Sequence, residues 1–171
     1  SPLSPESFDF INKFSNSEMQ IGSISGGTDI LSCFVLNNPL DEVISGEIQC
    51  RGLGMAVDVF DEEGNSVTDT PGELVCTKPF PSMPIMFWND PDGKKNQEAY
   101  FDYYPNVWRH GDWTKLTKRG TLVIFGRSDA TLNPGGVRIG TSEIYQQVED
   151  IDFITEGLGV GQDFDDDVRL V

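Results

Sequence analysis

The sequence predicts an α+β fold that is rich in β-strands. Short segments of β-branched and aromatic residues are separated by turns of glycine, proline, asparagine and acidic residues, whereas a helical period occurs in few places. The chain has 171 residues, of which 37% are hydrophobic, so it can bury a sizeable core. Five predicted strands with turns between them indicate a twisted sheet or a small open barrel.

The first predicted element is a helix over Pro5–Phe14. Ser4 can accept the free N–H groups of its first turn, and proline suits the first helical position. Because Phe8, Ile11 and Phe14 recur at helical spacing, we expect them to share the face that packs on the core.

The five predicted strands come next. They cover residues 19–24, 46–50, 55–60, 72–77 and 121–125. Turn residues bound each of them, and a tight turn at Ser25-Gly26-Gly27 should end the first.

Two further helices are predicted. Residues 78–104 carry four prolines and should be irregular, with a short helix near residues 97–104. Residues 140–150 return to a helical period, with an apolar pair four residues apart, and Thr141 can cap this helix.

Charge and cysteine content limit the partners and the compartment. The formal net charge is −16, which repels nucleic acid and anionic membranes, so neither is an expected partner. Part of this charge lies in residues 163–167, which we expect to form a solvated turn between strands. Cys33, Cys50 and Cys76 are odd in number and widely spaced, which favours small buried side chains in a reducing cytosol over a disulfide framework. No apolar run is long enough to span a bilayer.

Two short motifs place polar side chains beside glycines. In Ser25-Gly26-Gly27-Thr28-Asp29, backbone N–H groups and the Thr28 hydroxyl can bind a phosphate, and Asp29 can offer an oxygen ligand to Mg²⁺. The second motif is Arg109-His110-Gly111-Asp112-Trp113. Both sequences are also common in ordinary turns. His110 is the single histidine, and without a nucleophile motif nearby we expect it to be a bystander.

The longest informative stretch is residues 126–149, GRSDATLNPGGVRIGTSEIYQQVE. It resembles the hinge and the start of the mobile lid in acyl-CoA synthetases of the adenylate-forming superfamily. Residues 133–141 are most similar to the acetoacetate-specific group among these enzymes. The resemblance implies that residues 1–126 are the C-terminal portion of a large AMP-binding domain, with a sheet edge and a distorted β-barrel. Residues 127–171 would then be the hinge and the beginning of the small C-terminal lid domain.

The resemblance implies roles for the first motif. Ser25, Gly26, Gly27 and Thr28 match the loop that holds the α-phosphate of ATP. Ser25 stands where the family has an aromatic residue that stacks on adenine. Asp29 matches the family's magnesium-binding glutamate, with a shorter arm.

Roles are also implied for the later motifs. Asp112 matches the aspartate that accepts hydrogen bonds from both ribose hydroxyls, a task that suits the two oxygens of a carboxylate. Arg127 matches the arginine that reaches the ribose, and Arg138 matches one near the phosphates. Asp129 matches the hinge about which the lid rotates, and Gly135-Gly136 matches the loop that approaches coenzyme A.

The implied reaction joins acetoacetate to coenzyme A, at the expense of ATP, through an acyl-adenylate. It requires an upstream phosphate loop and a lysine in the lid, which these 171 residues do not contain. No catalytic residue is therefore assigned, and the chain alone is expected to adenylate poorly. Two alternatives stay open: the acid could be acetate or propionate, or the chain could be a non-catalytic module that binds nucleotide or a partner.

Overall fold

The structure is a computed structural model that describes residues 3–16, 19–132, 139–149, 151, 154, 157–164 and 167–171. Within these residues the chain forms three α-helices and nine strands, arranged in three antiparallel sheets. The predicted class, α+β and rich in strands, is confirmed. No helix of the described part is long and apolar enough to cross a bilayer.

The described elements are three helices, two larger sheets and one hairpin. The helices are α1 (Pro5–Phe14), α2 (Lys94–Tyr100) and α3 (Thr141–Glu149). The first sheet has the order β1 (Ser25–Gly27), β2 (Ser32–Leu36) and β3 (Cys50–Arg51). The second sheet has the order β4 (Val57–Phe60), β5 (Pro71–Cys76), β6 (Trp108–Leu116) and β7 (Leu122–Arg127). A separate hairpin joins β8 (Gly161–Phe164) to β9 (Asp167–Leu170).

Helix α1 has the predicted bounds and the predicted cap. The Ser7 N–H donates to the Ser4 hydroxyl at 3.3 Å, which satisfies one free donor of the first turn. Phe8 is buried, as expected. The expectation for Phe14 is wrong, because its side chain is 69% exposed and packs on Phe10, with ring centroids 4.8 Å apart.

The first sheet differs from the prediction. Residues 19–24 form no strand, and the three residues predicted as a tight turn form β1 instead. Gly26 makes this possible, because a side chain there would meet the backbone of Ser32 and Cys33 on β2. Predicted strand 46–50 is also wrong: Ile48 makes one bridge to Leu122, and β3 begins only at Cys50.

The second sheet contains three of the predicted strands. β4, β5 and β7 lie within two residues of the predicted segments. β6, between β5 and β7, was not predicted, because its Gly-Asp pair is typical of a turn. The strand accommodates this pair through an irregularity in its pairing with β5, with Gly111 at a φ of +83°.

Both later helices are present with shifted starts. α2 begins three residues before the predicted segment, because the Asp90 carboxylate accepts the N–H groups of Lys95 and Asn96 at 3.0 Å and so fixes the first turn. Helix α3 is confirmed, with Thr141 as its first residue rather than its cap. The Gly140 N–H donates to the Glu143 carboxylate at 3.3 Å instead.

The acidic run, residues 163–167, includes the facing ends of strands β8 and β9. Phe164 pairs with Asp167, so Asp163 and Asp167 belong to the strands and not to the turn. The two residues between the strands lie outside the described part of the chain.

One aromatic cluster forms the centre of the core. Phe34 and Phe80 pack edge-on at 5.2 Å, Phe80 packs edge-on against Trp108 at 5.4 Å, and Tyr100 stacks on Trp108 at 3.6 Å. These contacts join α2 to both sheets. Cys76 is buried in the same core and burial raises the pKa of its thiol, as expected for a cysteine that serves as an apolar side chain. Cys33 and Cys50 are half-buried, and all three thiols are free.

Candidate functional site

An open cavity of about 890 Å³ lies where the two larger sheets and two helices meet. It is bounded by β1 and the turn after it, the end of α2, the middle of β6, the end of β7 and the start of α3. The lining residues that the argument uses are Ser25, Gly26, Gly27, Thr28, Asp29, Tyr100, His110, Asp112 and Arg127. Seven residues predicted as a nucleotide and metal site are therefore neighbours, although up to 102 positions separate Ser25 from Arg127.

Asp112 is the best-buried acid of the cavity wall, with 10% of its side chain exposed. The Ser25 hydroxyl donates to its Oδ2 atom at 2.7 Å. Arg127 Nη1 lies 3.5 Å from its Oδ1 atom, and His110 Nε2 lies 3.8 Å from Oδ2. Both oxygens are thus held in place while the carboxylate keeps a face on the cavity, which suits an acceptor of two ligand hydroxyls.

Arg127 lies directly opposite Asp112 in the β6–β7 ladder. Its Nη1 atom donates to the His110 carbonyl at 3.0 Å, and its Nε atom lies 3.4 Å from Asp129. The guanidinium fills the place where Gly111 would carry a side chain, since a Cβ atom there would lie 2.6 Å from Nη2. Half of the Arg127 side chain remains exposed, so the cavity has a basic group that can reach a ligand.

The loop after β1 supplies the opposite wall. Ile30 and Leu31 donate their N–H groups to the Gly27 and Thr28 carbonyls at 3.3 Å, which shapes a tight turn with Thr28 and Asp29 exposed at its tip. A side chain at Gly27 would collide with the Asp29 carboxylate. The glycine therefore allows this acid to fold back over the loop.

Tyr100 is a cavity residue that sequence reasoning missed. Its hydroxyl donates to Asp29 Oδ2 at 2.6 Å, while its ring stacks on Trp108. Burial raises the pKa of Tyr100, and the hydrogen bond and charge of Asp29 raise it further, so the phenol keeps its proton as a donor. No sequence signal links a tyrosine at the end of α2 to an aspartate 71 positions earlier.

His110 is closer to the site than expected. Its ring is buried, packs edge-on against Phe34 at 4.8 Å and lines the cavity. Its Nδ1 atom has no hydrogen-bond partner among the described residues. The His110 ring therefore forms part of the cavity lining beside Asp112. Among the interactions of the described residues, no Ser or Cys side chain pairs with it as a nucleophile would.

Asp129, the predicted hinge residue, is not among the described residues that line the cavity. Asp129 lies in a single 3₁₀ turn, Ser128–Ala130, with 74% of its side chain exposed. Gly135, Gly136 and Arg138, predicted to approach coenzyme A and the phosphates, lie outside the described residues.

The described residues could supply only one or two protein ligands to a metal ion. They include no group of three or more His, Cys, Asp or Glu side chains arranged around one point. Asp29 offers a single exposed carboxylate. This fits Mg²⁺, which commonly uses one or two carboxylates together with waters and ligand phosphates.

Comparisons with known proteins agree with this architecture. Over all of its 171 residues the chain is 63% identical to the acetoacetyl-coenzyme A synthetase of Rhizobium meliloti strain 1021, of which it covers 26%. It is 52% identical over 163 residues to the acetoacetyl-CoA synthetase of Rattus norvegicus, covering 24% of that protein. The solved acetoacetyl-CoA synthetase from Streptomyces lividans matches the whole chain at 46% identity with a TM-score of 0.86, over 27% of the solved chain.

The chain is thus similar over its whole length to acetoacetyl-CoA synthetases. It spans about a quarter of the length of the acetoacetyl-CoA synthetases that it matches. The fold extends beyond these enzymes: an anthranilate CoA ligase solved with anthranoyl-AMP has a TM-score of 0.79 at 18% identity, over 99% of this chain. No protein-family model matches the chain.

Proposed function

We propose that the chain is part of an ATP-dependent acetoacetate–CoA ligase and that its cavity holds the AMP portion of ATP. The observation that carries this proposal is the 63% identity to an acetoacetyl-CoA synthetase over every residue of the chain. The cavity supports it, because every described residue that the superfamily resemblance assigns to the nucleotide lines this one cavity. The complete reaction belongs to a protein about four times as long.

The ribose end of the nucleotide is assigned to Asp112 and Arg127. The two ribose hydroxyls would donate to the Asp112 carboxylate, which a cavity wall already orients. Hydrogen bonds to an ionised acceptor are stronger than neutral ones, so this acid would contribute much of the nucleotide affinity. Arg127 would donate to the sugar from the opposite strand.

Ser25 has a different role from the aromatic residue of the superfamily pattern. Its hydroxyl donates to Asp112, so it orients the ribose acceptor and offers no ring to stack on adenine. The α-phosphate is assigned to the backbone around Gly26 and Gly27, one edge of which pairs with β2, and to the exposed Thr28 hydroxyl.

Mg²⁺ is assigned to Asp29. When bound, the cation would neutralise part of the charge of the ATP phosphates and so ease attack by the acid on the α-phosphate. Tyr100 would fix the free rotation of the Asp29 carboxylate, leaving one oxygen to face the cation.

The reaction would proceed in two steps. Acetoacetate attacks the α-phosphate and releases pyrophosphate, and the coenzyme A thiol then displaces AMP from the acyl-adenylate. Residues 1–126 would belong to the AMP-binding domain and residues 127–171 to the hinge and the lid, with rotation about Asp129. Gly135 and Gly136 would approach coenzyme A, and Arg138 the phosphates.

The test uses the protein extended to the natural ends of its reading frame. We expect it to form acetoacetyl-CoA from acetoacetate, ATP and coenzyme A. Asp112→Ala should raise the KM for ATP at least about tenfold, since two hydrogen bonds to a charged group are lost. Asp102→Ala, which removes an exposed acid outside the cavity lining, serves as the matched control. An unchanged KM for ATP in Asp112→Ala would refute the ribose assignment.

A further inference from the structure

Glu73 is a buried carboxylate in β5, with 2% of the residue exposed. Arg109 Nη2 donates to its Oε1 atom at 2.7 Å, and the Ser128 hydroxyl donates to its Oε2 atom at 2.6 Å. Both oxygens are thus satisfied, one by a cation and one by a hydroxyl. This carboxylate does not line the cavity.

A buried charge at Glu73 costs folding free energy, and the positions of its two partners indicate which part of the structure it orients. Burying a carboxylate stabilises a fold only when its bonding geometry is very good, and an apolar residue is often at least as stable. The two partners of Glu73 flank the proposed ribose site. Arg109 precedes Asp112 by three positions on β6, and Ser128 directly follows Arg127 at the end of β7.

Arg109 is a rigid anchor. Its guanidinium lies 4.5 Å from the ring centroid of Tyr103, in a cation–π arrangement. Burial alone lowers the pKa of Arg109, but the hydrogen bond and charge of Glu73 outweigh it, and the pKa lies above its ordinary value. The Arg109 guanidinium therefore stays charged at any physiological pH.

Arg127 is less well fixed by its own side chain. Its guanidinium is half-exposed, with one bond of 3.0 Å to the His110 carbonyl and longer contacts to Asp112 and Asp129. Its orientation depends on where its backbone leaves β7. Ser128 is the next residue, and its bond to Glu73 ties that point to the central strands.

We propose that Glu73 is a positioning residue for the ribose end of the nucleotide, holding Asp112 and Arg127 opposite each other through Arg109 and Ser128. This inference rests on the proposed function, because it assigns the ribose to that pair. It goes beyond that function in giving the buried acid of β5 a task in ligand binding.

The test compares two nucleotides on the protein extended to its natural ends. Calorimetry measures the Kd of AMP and of 2′,3′-dideoxy-AMP, which lacks both ribose hydroxyls. Ser128→Ala removes one bond to Glu73 and no group that lines the cavity. Ser66→Ala is the matched control, since the Ser66 hydroxyl donates to the Asp58 carboxylate at 3.0 Å on another part of the sheet.

We expect the unsubstituted protein to bind AMP more tightly than the dideoxy nucleotide. Ser128→Ala should raise the Kd of AMP about fivefold to tenfold, as loss of a hydrogen bond to a charged group allows, and leave that of dideoxy-AMP within about twofold. Glu73→Gln should reduce the preference for AMP in the same way, Ser128→Thr should restore it, and Ser66→Ala should leave it unchanged.

Other results would overturn the inference in separable ways. Equal weakening of both nucleotides by Ser128→Ala would show a role in stability alone, and no weakening of either would show no role. Failure of the unsubstituted protein to prefer AMP would overturn the ribose assignment, and with it this inference. Thermal unfolding of each variant shows whether its fold is retained.

Discussion

Substitution of Gly111 by alanine separates the strain of the strand from the contact with the proposed nucleotide. Gly111 has a φ of +83°, which an L-residue adopts at a cost of about 1–2 kcal/mol. An added Cβ atom would also lie 2.6 Å from Arg127 Nη2. The guanidinium is the far end of a flexible, half-exposed side chain, so it can move away at a cost of no more than about 1 kcal/mol.

Gly120 provides a control with the same strain and no contact. Its φ is +87°, and nothing lies within 4 Å of the position that its Cβ atom would take. Gly111→Ala and Gly120→Ala should therefore lower the Tm of the chain by similar amounts, about 2–8 °C each. Their effects on AMP should differ, because only Gly111→Ala displaces Arg127.

Two measurements check this prediction. Differential scanning calorimetry gives the Tm of each variant, and isothermal titration gives the Kd of AMP on the extended protein. We expect an increase in Kd of about tenfold for Gly111→Ala, the cost of about one charged hydrogen bond, and no change for Gly120→Ala. Normal AMP affinity in Gly111→Ala would show that Arg127 does not contact the nucleotide. A Tm loss much larger than in Gly120→Ala would show that the guanidinium cannot move.

Three further predictions concern the core, the pH dependence and the substrate. Phe34→Ala removes a ring that is 1% exposed and should lower the free energy of unfolding by about 3–5 kcal/mol in urea denaturation, whereas Phe14→Ala should change it by less than about 0.5 kcal/mol. The pKa of Asp69 lies below its ordinary value of 3.8, chiefly because Lys118 donates a hydrogen bond to the carboxylate. The ionised Asp69 therefore contributes its full stabilisation above pH 3.8, and this contribution is lost as the pH falls through the folded-state pKa. Lys118→Ala should raise this pKa in an NMR titration; a constant value would assign the shift to other groups. The extended protein should use acetoacetate with a higher kcat/KM than acetate or propionate, and the opposite order would reject the proposed acid.

The elements that could be predicted are those whose local signals agree with their surroundings. Pro5–Phe14 carries its own cap and proline, so its bounds follow from the first turn. β5 is apolar along most of its length and is buried, so its pattern reports its environment directly. In these cases tertiary contacts add to a local preference and do not oppose it.

The elements that were missed depend on contacts distant in sequence. Ser25–Gly27 is a turn by composition and a strand only because β2 lies close enough to pair with two glycines. β6 contains Gly111, which a regular strand disfavours, and keeps its course through an irregularity in its pairing with β5. A single sequence does not show which strands β1 and β6 pair with.

The candidate site was predictable to the extent that its chemistry lies in short motifs. Thr28, Asp29 and Asp112 stand in such motifs, and the structure places all three around one cavity. Tyr100 and Glu73 could not be found in this way. Each acts through a bond to a residue on another element, and their own sequence neighbourhoods resemble an ordinary helix end and an ordinary strand.

The charges of the cavity suit the proposed binding of a nucleotide by a strongly acidic protein. At a net charge of −16, the long-range field opposes the approach of ATP, so affinity must come from short-range bonds. In the proposed function, Asp112 accepts ribose hydroxyls and Asp29 faces a cation, so neither acid meets a phosphate directly. Arg127 and the Thr28 hydroxyl supply donors to the ligand in the same proposal. Because each of these bonds acts over a few ångströms, the precision with which Ser25, Tyr100 and Glu73 hold their partners decides whether the site binds at all.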